Sequence, residues 1–216
     1  LATVHETGHG LYDQGLPQEL ADNFAGRAIS LGLHESQSRF WENHVGRSLP
    51  FWEAEMPRLQ SLYPVLARHD ARDMLAAVNQ VSRSPIRLEA DELTYLLHIA
   101  VRFEIELALM RGSLEVAELP SAFKQAMERH LGITPPDDRD GVMQDVHWAA
   151  GLIGYFPTYA LGSVYAAALF ASAEEDLGGA QTVAAAARTG DHSELLHWLR
   201  RKVHSRASLV PVREVM

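Results

Sequence analysis

The chain has 216 residues, 47% of them apolar, enough for a globular protein with a real core. Asp and Glu outnumber Lys and Arg by 28 to 19, a net charge of −9 that argues against nucleic acid or an anionic membrane as the main partner. Cysteine is absent, which excludes disulfides and thiolate metal sites and suits a reducing cytoplasm. No stretch approaches the ~18 apolar residues of a membrane span.

In chain order the pattern is helical. Leu1 to Gln14 reads as a helix closed by Gly15 and Pro17. It starts without a capping residue, as expected of a chain cut from a longer one. Leu20, Phe24, Ala28, Leu31, Phe40 and Trp41 recur near helical period, predicting helix over 19–46. Further helices are expected over 50–66 and 70–81. Pro85 disfavours helix before it, so 86–89 is expected to be extended, with at most a small β-hairpin there. Helices then follow over 92–111, 120–130, 157–177, 181–187 and 193–203. The expected fold is all-α, an irregular helical domain read as one region, 1–216.

His5-Glu6-Thr7-Gly8-His9 is the sequence's sharpest chemical feature. Residues four apart share a helix face, so both imidazoles can bind one metal ion, with Glu6 close enough to polarise its water. The plainer reading is two surface histidines beside a solvated glutamate. A catalytic zinc takes a third protein ligand and keeps one position open. The third histidine of a metzincin is missing, because Tyr12 and Gly15 hold the positions that pattern requires. Glu19, Glu35 and Glu42 remain as carboxylate candidates. For Glu35 the competing reading is an ion pair with Arg39 one turn on.

Three further segments carry potential chemistry. Ile86-Arg87-Leu88-Glu89-Ala90-Asp91 holds an arginine able to grip a carboxylate bidentately. Its plainer reading is a salt bridge to Asp91 or Glu89. Gly141-Val142-Met143-Gln144-Asp145-Val146-His147-Trp148 is followed by Tyr155, Phe156 and Tyr159. Trp148 and Phe156 read as core.

Taken together, His5 to Leu16, His34-Glu35-Ser36-Gln37, the Arg87 segment and the Gln144–Trp148 segment resemble the Taq-type metallocarboxypeptidases, an HExxH gluzincin family. The four motifs occur in the family's order. The resemblance implies an all-α metallopeptidase fold and a zinc site of His5, His9 and Glu35, where Co²⁺ is a possible substitute. It implies Glu6 as catalytic base, His147 and Tyr159 as oxyanion donors, and Arg87, Tyr155 and Gln144 as substrate-binding residues. The spacing of His147, Tyr155 and Tyr159 also resembles the donors of angiotensin-converting enzyme and the oligopeptidases. The implied activity is release of single C-terminal residues from peptides with broad tolerance, in a homodimer. The family's arginine motif upstream of the zinc helix has no counterpart here, and Ser205 to Met216 departs from the family pattern. The alternative is therefore an inactive metal-binding remnant that works through partners or needs a separate N-terminal half. An endopeptidase with the same zinc chemistry is a third reading.

Overall fold

The computed structural model describes residues 1–216 and is all-α, with no β-strand. It divides into two compact units, residues 1–78 with 161–216, and residues 79–160.

The first unit begins with α1 (Ala2–Gly15). Residues 19–46 do not form the single helix that their spacing predicts. Asn23 accepts a hydrogen bond from the Ala25 N–H and starts a 3₁₀ turn at Phe24–Gly26. Helix resumes only at Ser30, whose hydroxyl accepts from the Leu33 N–H and caps α2 (Leu31–Arg39). Turn and cap chemistry at Asn23 and Ser30 thus overrides apolar periodicity. Beyond α2 the chain widens into a π-helix, Phe40–Gly46. Then follow α3 (Leu49–Leu62), capped by Ser48, and α4 (Ala71–Val78).

Later in the chain come α7 (Pro157–Asp176), α8 (Ala180–Arg188) and α9 (Ser193–Lys202). Tyr12, Leu33, Phe40, Trp41, Leu169, Trp198 and Leu199 are among the side chains of this unit's core. None of them carries a formal charge, so they supply the apolar burial that anchors a ligand-bearing helix.

In α2, Glu35, Ser36, Gln37, Ser38 and Arg39 are all buried. Each polar group has a partner, as buried groups require. Ser36 and Ser38 donate to the carbonyls of Leu33 and Glu35, and the Gln37 amide meets Ser36 and His204. Gly8 makes the α1–α2 contact possible, because a β-carbon there would stand 2.6 Å from the Gln37 carbonyl oxygen.

The second unit contains α5 (Tyr95–Met110) and α6 (Leu119–Leu131). Val101, Ile105, Phe123 and Met127 form one core cluster, and Tyr95, Ile99 and Phe156 a second, with Trp148 packed against both. The extended segment expected at 86–89 is instead a 3₁₀ turn over Arg87–Glu89. The reason is Asp91, whose carboxylate accepts from the N–H groups of Ser82, Leu93 and Thr94. Those bonds fold the segment onto the start of α5 and leave no free strand edge for a hairpin.

Candidate metal centre

His5 and His9 lie on α1, Glu35 on α2, and each offers one donor atom within 4.8 Å of the others. Glu35 Oε2 is 3.8 Å from Nε2 of His5 and 3.5 Å from Nε2 of His9. Bonds of about 2.0–2.2 Å to a tetrahedral ion put neighbouring ligand atoms about 3.4 Å apart, so these separations are close to what a metal demands. Two imidazoles and one carboxylate form the donor set of a catalytic metal site, and it fits a divalent ion. Glu19 and Glu42 are not in the cluster.

The other oxygen of Glu35 accepts from Nε of Arg39 at 3.1 Å. The competing reading of Glu35 as an ion-pair residue is therefore also realised, through a different oxygen. Burial pushes the Glu35 carboxyl up, but the His9 hydrogen bond and the charges of Arg39, His5 and His9 bring it below its ordinary value. Burial likewise lowers His9, yet its pKa is raised, through Glu35 first and also through Glu6 and His34. Glu6 itself is exposed on α1.

Glu42, on the π-helix, stands 2.8 Å from Nδ1 of His5. Arg39 and Arg47 donate to its carboxylate. Burial opposes the charge, and the His5 hydrogen bond with these two arginines overrides it, holding Glu42 at about 2. A carboxylate on the second nitrogen of a ligand imidazole fixes its tautomer and orientation. Nothing in spacing alone separates that part from direct ligation, since Glu35 and Glu42 share one helix face.

In the second unit, Arg87 is 5% exposed. The acids suggested by its own segment, Asp91 and Glu89, are not its partners. Its Nε and Nη2 donate to Asp145 Oδ1 at 3.0 and 2.8 Å, and Nη1 donates to the Tyr95 hydroxyl. The Arg87 guanidinium also sits 4.9 Å from the centre of the Tyr159 ring. Arg102, fully buried on α5, donates to the other Asp145 oxygen at 2.6 Å. Sequence reasoning missed Arg102, which looks like any charged residue of an amphipathic helix.

Gln144 accepts from the Arg87 N–H and donates to the carbonyls of Pro85, Asp140 and Gly141. His147 Nε2 is 2.9 Å from the Tyr159 hydroxyl, and the Tyr155 ring lies 5.3 Å from the imidazole. Burial lowers the His147 pKa, Asp145 opposes this, and Arg87 and Arg102 add to the lowering, leaving it below its ordinary value.

The whole chain, residues 1–216, matches the family described as carboxypeptidase Taq (M32) metallopeptidase. It is 52% identical over 206 residues to thermostable carboxypeptidase 1 of Thermus thermophilus, covering 95% of this chain and 40% of the relative. It is 43% identical to carboxypeptidase 1 of Bacillus subtilis, covering 94% of this chain and 40% of that protein. Among solved structures, the M32 carboxypeptidase of Deinococcus radiodurans superposes with a TM-score of 0.93 at 42% identity, over 99% of this chain and 43% of that one. The chain thus spans less than half the length of these relatives. It belongs to the carboxypeptidase Taq (M32) metallopeptidase family.

Proposed function

We propose that residues 1–216 are the catalytic region of a zinc-dependent carboxypeptidase that releases single residues from peptide C-termini with broad side-chain tolerance. The observation that carries this reading is the convergence of the His5, His9 and Glu35 donor atoms within 4.8 Å, with Glu6 next to the first ligand in the chain. The ion is Zn²⁺, which suits an imidazole and carboxylate donor set, and Co²⁺ is a workable substitute. Held there, Zn²⁺ would supply Lewis acidity to the scissile carbonyl and to the attacking water.

Glu6 accepts the proton of that water and delivers it to the leaving amine nitrogen. Glu42 holds His5, and Arg39 holds Glu35, so the ligands are oriented before substrate arrives. His147 and Tyr159 serve as hydrogen-bond donors to the oxyanion, an assignment that rests on the family resemblance. Nε2 of His147 and the Tyr159 hydroxyl lie 2.9 Å apart, and this mutual bond uses one of their two polar hydrogens, so it must open for both to donate to the oxyanion. Arg87 and Gln144 have their polar groups committed to the protein, so they contribute to substrate binding by fixing the segment that bears His147. Tyr155, half-buried against His147 and Tyr159, is assigned to substrate binding by the family resemblance. A cytoplasmic setting accords with the absence of cysteine, and a homodimer is the assembly the resemblance implies.

The test is release of the C-terminal residue from an N-blocked peptide by zinc-loaded protein, with and without chelator. Release that stops with chelator is expected. Glu6→Gln should bind zinc as before and lose release by at least two orders of magnitude, the upper range for a general base. Near-normal turnover by this variant would refute the role of Glu6. Internal cleavage of the peptide would point to an endopeptidase. Zinc binding by the wild type without any release would sink the reading that this chain acts alone.

A further inference from the structure

The second nitrogens of the two ligand imidazoles both have partners, and the partners differ in kind. His5 meets the Glu42 carboxylate. Nδ1 of His9 instead lies 2.7 Å from Nδ1 of His34, and Nε2 of His34 lies 3.1 Å from Asp13 Oδ1. Two ring nitrogens at hydrogen-bond distance need one donor and one acceptor. An imidazole that presents Nε2 to a metal has its hydrogen on Nδ1. His9 must then donate, and His34 must accept through Nδ1. A neutral His34 that accepts there carries its own hydrogen on Nε2, the atom facing Asp13, and a carboxylate can only accept. Each hydrogen therefore has one allowed place along Asp13, His34 and His9. The reverse order would put a hydrogen on Nε2 of His9, where the metal has to bind.

From this geometry we propose that His34, itself oriented by Asp13, is a positioning residue that locks His9 in the tautomer able to bind the metal. The proposal rests on the reading of His5, His9 and Glu35 as a metal site. The fold supports each link. Ser30 accepts from the His34 N–H through its carbonyl and so places that first turn of α2. The buried Tyr12 ring meets the His34 ring edge-on at 5.3 Å and holds its plane. Asp13 lies one helical turn beyond His9 on α1, so both ends of the relay come from the zinc helix.

The two positions differ in weight. The His34 side chain is 26% accessible, whereas Asp13 is 61% accessible. A carboxylate so open to water competes with solvent for the same hydrogen bond and contributes little. His34 carries most of the effect and Asp13 biases it.

The experiment uses the 216-residue chain and Zn²⁺ itself. Zinc affinity is measured by competition with a chromophoric chelator for the wild type, His34→Leu, His34→Gln, Asp13→Ala and a His5→Ala control. The ring tautomers of the zinc-loaded wild type are read by ¹⁵N NMR. His34→Leu should weaken zinc binding about 10–100-fold, the usual effect of removing an outer partner of a metal ligand. His34→Gln should recover most of that loss, because its amide oxygen can still accept from His9. Asp13→Ala should cost about two- to fivefold, and nothing further when combined with His34→Gln. NMR should find His34 protonated on Nε2 alone.

A purely structural role would give Leu and Gln equal losses. Zinc affinity unchanged in His34→Leu but abolished in His5→Ala would overturn the relay and leave the metal site standing. A His34 found protonated on Nδ1 in the zinc-loaded wild type would do the same. A wild type that binds no zinc would end both readings.

Discussion

A β-carbon on Gly162 would stand 2.4 Å from Cγ of Glu35 and 2.7 Å from its Cβ. Helix α7 thus rests directly on the side chain that supplies the carboxylate of the candidate metal centre. No rotamer of a larger residue at this position can avoid that carbon, because the overlap begins at Cβ. Gly162→Ala is expected to push Glu35 out of register with His5 and His9. Overpacking of this kind costs about 1–3 kcal/mol. Zinc affinity should fall at least tenfold, with a lowered melting temperature in the metal-free protein. Calorimetry of the variant with and without zinc checks both, and unchanged zinc affinity would contradict the contact.

Glu42 predicts a loss of metal binding without loss of a ligand. Removing the carboxylate by Glu42→Ala frees His5 to rotate and leaves Arg39 and Arg47 without their shared acceptor. Zinc affinity should drop about 10–100-fold. Glu42→Gln keeps an acceptor for the His5 N–H and should lose less. Chelator competition on the two variants measures the order. If Ala and Gln behaved alike, the hydrogen bond to His5 would not be the reason.

Asp145 holds two buried guanidinium groups, from Arg87 and Arg102. Burial raises its pKa, and the two arginines outweigh this and lower it. Asp145→Ala leaves both cations buried without a counter-charge, which costs about 3–5 kcal/mol. Urea unfolding should show that loss as a shifted midpoint with little change in slope. A shift below about 1 kcal/mol would mean that water reaches the arginines.

Stability should fall in mild acid, and His204 is a specific cause. Its side chain is fully buried with Nε2 3.0 Å from Gln37 Oε1. Burial first and Arg200 second push its pKa down to about 4. An unfolded histidine titrates near ~6.5. Between those values the unfolded chain binds a proton that the folded chain refuses, so stability declines as pH falls from about 6.5 to about 4 and is constant above. The slope from this group is at most about 1.4 kcal/mol per pH unit, roughly 3 kcal/mol in all. In metal-free protein, His204→Gln should make the pH dependence of the unfolding free energy shallower by that slope. Parallel curves for the two proteins would exclude His204.

Much of the all-α fold was legible in the sequence, because apolar residues at helical period and turn residues between them act locally. Ser48, Pro50 and Pro120 lie at helix starts, and α1 ends at Gly15 beside Pro17, as their chemistry dictates. Residues 19–46 were misread because periodicity does not register a side chain that caps in mid-segment. Asn23 and Ser30 do so. The 86–89 segment was misread because the carboxylate that closes it, Asp91, reaches back to Ser82 through space.

By itself the sequence determined that α1 presents two imidazoles on one face with an acid between them, since helix geometry alone imposes that spacing. It also determined the family, through motifs in a fixed order. The family resemblance singled out Glu35 among the three glutamates, but only the tertiary structure shows its carboxylate converging with both histidines while Glu42 meets Nδ1 of His5. The tertiary structure likewise decided that Arg87 pairs with Asp145 rather than with its neighbours, and that His34 meets His9. Each of these is a contact between elements distant in the chain. Their partners are chosen by the close packing that Gly8 and Gly162 permit and by the need to satisfy every buried charge, and neither constraint can be read from local spacing.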